Sequence, residues 1–212
     1  MARRGEETGS AEPSTNFGDQ KTMVSIRTRI EGLTPLLIHR FAESAEQAKP
    51  TRRIKAANED PREAARRVAY VAPNGTFYFS AFAIPNAMGA AGASHKATGT
   101  RRTLRFVVPS AVRVTGADTI TITNGNGKPA DHFEVDSRPV TIPSTKGRIM
   151  RHRPRFDVWG ATFQLAINDD LLDPAMAHVL LSDAGLTIGI GDFRPEKRGP
   201  FGTFRVTEWS EV

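Results

Sequence analysis

Residues 187–206 carry the side chains with the clearest chemical potential in this chain. Gly189, Gly191, Gly199 and Gly202 are interleaved with Arg194, Lys197 and Arg198, in a loop between a short apolar strand at 187–190 and a closing strand. Glycine takes positive φ at little cost and lets a ligand's backbone approach closely. Main-chain N–H groups beside cations make a cradle for phosphate oxygens. The same composition suits a long hairpin with solvated charges, so the loop alone leaves both readings open.

A second group is Lys146, Arg148, Arg151, Arg153 and Arg155. Alternate residues of an extended chain share a face, which sets Arg151, Arg153 and Arg155 in a row spaced by about 6.5 Å. That spacing resembles successive phosphates on an extended single strand, and Pro154 argues against a helix. A row of cations also protects an edge strand from aggregation.

The charge distribution favours an anionic partner. The chain of 212 residues has a net charge of +6 and a pI of about 10.0, in the range of nucleic-acid-binding domains. In residues 1–20 two arginines face four carboxylates, a net of −2, so the remainder carries +8. No carboxylate occurs from 64 to 117, a window that holds Arg66, Arg67, Lys96, Arg101, Arg102, Arg105 and Arg113. None occurs from 137 to 156 either, the window of the arginine row. Acid-free basic tracts call for a polyanion, most commonly a phosphate backbone.

Other chemistry is poorly provided for. With no cysteine there is no disulfide, thiolate metal site or cysteine nucleophile. The five histidines, at 39, 95, 132, 152 and 178, include no i,i+4 pair for a helical metal site. No P-loop, dinucleotide fingerprint or nucleophile elbow is present. The expectation is no catalytic residue, no metal and no cofactor. Phe77, Phe79, Phe106, Phe193, Phe201 and Phe204 are available to stack on bases, and Phe193 and Phe201 are the better placed, inside the glycine loop.

Hydrophobic content of 39% and charged content of 25% are those of a soluble globular protein. No apolar run is long enough to span a bilayer, and no apolar stretch follows Arg3 and Arg4 to make a secretory signal. A cytoplasmic protein without a membrane partner is expected. Residues 1–21 are poor in large apolar side chains and read as a disordered tail, ahead of a single domain over 22–212.

Alternation marks a half-buried strand at 23–30. Asp60 and Pro61 open a helix as cap and first residue, 76–79 reads as a strand, and 84–93 as a short helix of small residues. Strands are expected at 104–108, 111–114, 119–122, 133–136 and 139–142, with an Asn-Gly turn at 124–127. One long strand is expected at 156–167. Asp173 and Pro174 open a second helix that Gly185 should stop, and 203–209 closes the chain. Two strand–helix–strand units suggest an α+β fold with a split β-α-β, ferredoxin-like core. The β-rich residues 104–150 would then be an insertion.

Three stretches resemble the RAMP superfamily, in particular the backbone subunit of CRISPR surveillance complexes and its stand-alone, phage-type relatives. Ile30-Glu31-Gly32-Leu33-Thr34-Pro35-Leu36-Leu37-Ile38-His39 is similar to the first strand and following turn. Arg148-Ile149-Met150-Arg151-His152-Arg153-Pro154 leads into a strand as in the phage-type proteins. Gly189-Ile190-Gly191-Asp192-Phe193-Arg194-Pro195 with Gly199-Pro200-Phe201-Gly202 resembles the C-terminal glycine-rich loop. The resemblance implies a ferredoxin-like (RRM-like) core, a projecting β "thumb" and head-to-tail assembly along a single strand.

The expected function is therefore non-enzymatic binding of single-stranded nucleic acid, DNA before RNA, by a homo-oligomer that extends along its ligand. The expected contacts are Lys96, Arg101, Arg102, Lys146, Arg148, Arg151, Arg153, Arg155, Gly189, Gly191, Phe193, Arg194, Lys197 and Arg198. Three alternatives stay open. They are a CRISPR-type RNA-binding backbone subunit, a metal-independent RAMP ribonuclease with His39 as general base, and an assembly protein with an acidic partner. In the ribonuclease reading Asp118, Asp131 or Asp136 would be the carboxylate to consider.

Overall fold

The computed structural model describes residues 23–40, 60–97, 99, 101–141 and 146–212. The tail expected over 1–21 lies outside them. Strand β1 (Met23–Gly32) forms where alternation predicts it, and Ile26, Thr28 and Ile30 turn inward. It is central in a four-stranded antiparallel sheet with β4 (Val112–Val114), β8 (Gly160–Asn168) and β9 (Phe204–Glu211), in the order β4-β8-β1-β9. Each half of the chain thus contributes a strand–helix–strand unit, and each unit's two strands enclose one strand of the other.

The connecting helices are α2 (Ala83–Ala91) and α4 (Pro174–Asp183), which pack against each other. Ile84, Met88, Leu180 and Leu181 are fully buried, together with Ile30, Leu165 and Ile167 of the sheet. Each such side chain contributes about 1.5–3 kcal/mol by leaving water. The Asp-Pro openings behave as predicted. Asp60 accepts from the Arg62 N–H at the start of α1 (Pro61–Arg67), and Asp173 accepts from the Ala175 N–H at the start of α4.

Between β4 and β8 the chain makes an excursion over 115–159. Strand β5 (Thr119–Thr121) returns to pair with β3 (Tyr78–Ser80). Strands β6 (Glu134–Thr141) and β7 (Arg148–Phe156) form a long antiparallel hairpin, which joins the short β2 (Leu36–Leu37) through Phe156 and Arg155. The hairpin base is not free-standing. Phe77, Phe133 and Phe156 meet edge to face beneath it, with ring centroids 5.3–6.5 Å apart.

Four expectations need correction. Residues 104–108 are not a strand but a 3-10 turn (Leu104–Phe106) leading into a single-turn helix α3 (Val108–Ala111). Pro109 suits the first turn of a helix, and a short apolar run does not reveal its own period. The insertion begins after β4, not near 104, because Val112–Val114 pairs with β8. The alternation of 156–167 is broken at 157–159, where Trp159 is buried and its indole N–H donates to the Thr34 carbonyl at 2.8 Å. Gly185 does not stop α4, which continues as a π-helical turn (Ala184–Ile188) and ends at Gly189, φ 71°. A Cβ on Gly185 would lie 2.3 Å from the Phe204 carbonyl oxygen, so glycine there serves close packing on β9.

Candidate nucleic-acid interface

The glycine loop folds back over the end of β2, held there by two main-chain bonds and closed on itself by a third. The Asp192 N–H donates to Leu37, Gly202 to Pro35 and Ile190 to Gly202. Gly191 has φ 79°, and a Cβ on it would stand 2.4 Å from the Leu37 carbonyl oxygen. Its lack of a side chain therefore seats the loop on the protein itself. The N–H groups of 189, 190, 192, 193, 197, 198, 199, 201 and 202 all bond within the protein. The phosphate cradle expected from main-chain N–H groups is thus largely closed off, and the residues 187–190 expected as a strand are the end of the π turn and its exit.

The arginine row also divides. In β7, Arg153 is 4% exposed and its Nη1 lies 3.3 Å from Asp192 Oδ2, so it faces the glycine loop. It stands opposite Asp136 in the hairpin register, and Asp136 in turn accepts from Arg138 Nε at 2.7 Å. Burial is the main influence holding the Arg153 guanidinium below the usual arginine range. Arg151 and Arg138 push the same way, while Asp192 and Asp136 oppose them. The Arg138 guanidinium lies over the Phe201 ring at 4.6 Å and the Phe193 ring at 5.9 Å. Phe201 is buried, and Phe193 is half-buried against it with φ 51°, so this aromatic pair knits loop to hairpin. Arg155 pairs with Asp157 at 2.8 Å.

Arg151 is different. Among the described residues it has no carboxylate within ion-pair distance, and it lines a cleft of about 470 Å³. The same cleft is lined by Gly189, Gly191, Asp192, Arg194 and Glu196 from the glycine loop, by His39 after β2, and by Asn86 of α2, with Asp192 paired to Arg153 and Glu196 to Arg194. Arg194 is committed to Glu196 and to the Gly191 carbonyl. His39 is held below its ordinary value of 6.5 by burial first, then by Arg151 and Arg153, with Asp192 opposing. Near neutral pH it is an uncharged imidazole beside an uncommitted guanidinium.

The other predicted cations lie outside this cleft. Lys146 and Arg148 are exposed at the far end of the hairpin, where Arg148 is opposite Thr141. Lys96, Arg101 and Arg102 are exposed on the loop closed by the Lys96–Thr103 bridge. Lys197 and Arg198 are exposed on the outer turn of the glycine loop, with Lys197 3.9 Å from Glu196. Sequence reasoning therefore found Gly189, Gly191, Arg151 and Arg194 of the cleft but missed Asn86, Ser80 and Phe82. Phe82 is 62% exposed just before α2, an unusual position for so large a ring. Phe77, Phe79 and Phe204 are buried in the core, whereas Phe106 is exposed.

Among the described residues no group of three or more His, Asp or Glu is placed to hold a metal ion. None of their helices is long and apolar enough to cross a membrane. No protein-family model matches the chain, and no curated protein is significantly similar to it.

Proposed function

We propose that this protein binds single-stranded nucleic acid without acting on it, DNA before RNA, and assembles head to tail along the strand. The observation that carries this reading is Arg151. It is a cation without a carboxylate partner in a cleft also walled by the glycine loop, on a strand from an acid-free basic window. The exposed cations at 96, 101, 102, 146 and 148 offer further phosphate contacts along the surface. The sheet order β4-β8-β1-β9 with two helical crossovers supports a ferredoxin-like core of RAMP type. The hairpin β6–β7 is then its thumb.

The test is competition between equal-length single-stranded DNA, single-stranded RNA and duplex over a series of salt concentrations. Binding that weakens steeply with salt and prefers single strands is expected. Preference for RNA would favour the CRISPR-type backbone role. Binding that is flat in salt would leave an acidic protein as the better partner.

One observation favours a second reading. His39 is neutral near pH 7 and lines the cleft, as a general base for RNA cleavage would need. Cleavage of RNA by the purified protein, abolished in His39→Ala with binding intact, would establish the metal-independent ribonuclease instead.

A further inference from the structure

Resting on the single-strand reading, we propose that the cleft takes one unstacked nucleotide of the bound strand. The phosphate sits on Arg151, the base lies against Phe82, and the Asn86 amide and Ser80 hydroxyl meet the base edge.

Size is the first argument. About 470 Å³ falls within the range of pockets that enclose a small organic ligand, and is too little for a run of stacked nucleotides. The second is the state of the lining groups. Among the described residues, the side chains of Asn86 and Ser80 make no hydrogen bond to protein, and Arg151 makes no ion pair. A carboxamide offers two donors and an acceptor, which fits the paired donor and acceptor groups of a base edge. Neutral His39 adds one of each. The third is Phe82. Its backbone is fixed by the start of α2, where its carbonyl accepts from the Asn86 N–H at 3.2 Å, yet its ring stands in solvent at the cleft. An exposed ring on a fixed backbone is the platform on which single-strand binders stack a splayed base.

Cation and base contacts separate by residue, and this gives the test. Wild-type protein, Phe82→Ala, Asn86→Ala and Arg151→Glu are titrated with a fluorescein-labelled DNA hexamer and with the matching hexamer of abasic sites. Wild type should bind the intact strand about tenfold more tightly than the abasic one, the order of one base–aromatic stack. Phe82→Ala and Asn86→Ala should lose most of that margin and leave abasic binding unchanged, which also reports that they fold. Arg151→Glu should weaken both strands alike.

Equal binding of intact and abasic strands by wild type would overturn the pocket and leave the single-strand reading standing. So would weakening in Phe82→Ala and Asn86→Ala that is the same for both strands. Salt-insensitive or absent binding of either strand would instead end the single-strand reading. A deoxynucleoside monophosphate binding as tightly as the hexamer would make the free nucleotide the ligand and overturn the proposal.

Discussion

Arg153 of the hairpin and Asp192 of the glycine loop meet at 3.3 Å, and through them two parts of the chain far apart in sequence are tied into one wall of the cleft. Arg153 is also opposite the buried Asp136. Removing Arg153 would leave Asp192 a third exposed and unpaired, and would leave the buried Asp136 with Arg138 as its remaining cation, so part of the cost of an uncompensated buried charge is incurred. Arg153→Met should therefore destabilise the fold by about 3 kcal/mol, read as a lower urea midpoint with an unchanged slope. A midpoint close to wild type would show that the network contributes little.

Its neighbour two positions earlier should behave in the opposite way. Arg151→Glu should cost the fold far less than Arg153→Met, because Arg151 is half-buried at the cleft and makes no ion pair among the described residues, and its urea midpoint should stay closer to wild type. It should weaken binding to every single-stranded sequence alike and reduce the salt slope by about 0.7 for each phosphate no longer neutralised. A drop in stability with binding intact would exchange the roles of Arg151 and Arg153.

His39 supplies a pH signature. Its folded pKa is lowered, chiefly by burial and then by Arg151. Above the unfolded value of 6.5 the imidazole is neutral in both states and folding is unopposed. As pH falls below that value the unfolded chain takes up the proton first, so stability drops until the folded-state pKa is passed. Urea midpoints measured on descending pH should fall more steeply in wild type than in His39→Gln. Parallel curves would mean that His39 senses no such environment.

The hairpin end carries the assembly prediction. Ile149 and Met150 are 42% and 57% exposed beside Lys146 and Arg148. Exposed apolar side chains at the end of a projecting arm gain by docking on a neighbouring copy, and a heterologous contact that does not close gives a filament. On long single strands viewed by electron microscopy, wild type should form filaments, and Ile149→Ser with Met150→Ser should shorten them without changing binding to a hexamer. Filaments of wild-type length would place the subunit contact elsewhere.

Legibility in the sequence followed the range of the interaction. Strand β1 and the openings of α1 and α4 were readable because alternation and Asp-Pro caps act over a few residues. The bend at Trp159 was not, since its cause is a hydrogen bond to Thr34, which lies well over a hundred positions away in sequence. The arginine row was readable as spacing, but which member is buried depends on Asp192 arriving from the far end of the chain. Asn86 and Phe82 carry no local signal at all. Only the packing of α2 beside the glycine loop turns an ordinary amide and an ordinary ring into cleft residues.

The central strand has a kinetic consequence. Ile30 pairs with Ala161 on one side and with Val206 on the other, so neither neighbour of β1 is local. The entropy of closing those long loops must be met before the sheet rewards it, which puts folding in the slow regime of high contact order. Until β8 and β9 arrive, β1 presents two unpaired edges, a template for pairing with another chain. Recovery from denaturant should therefore be slow and concentration-sensitive, and yields should rise on dilution. The competing partner in refolding is another copy of the same chain, met at an unpaired edge of β1.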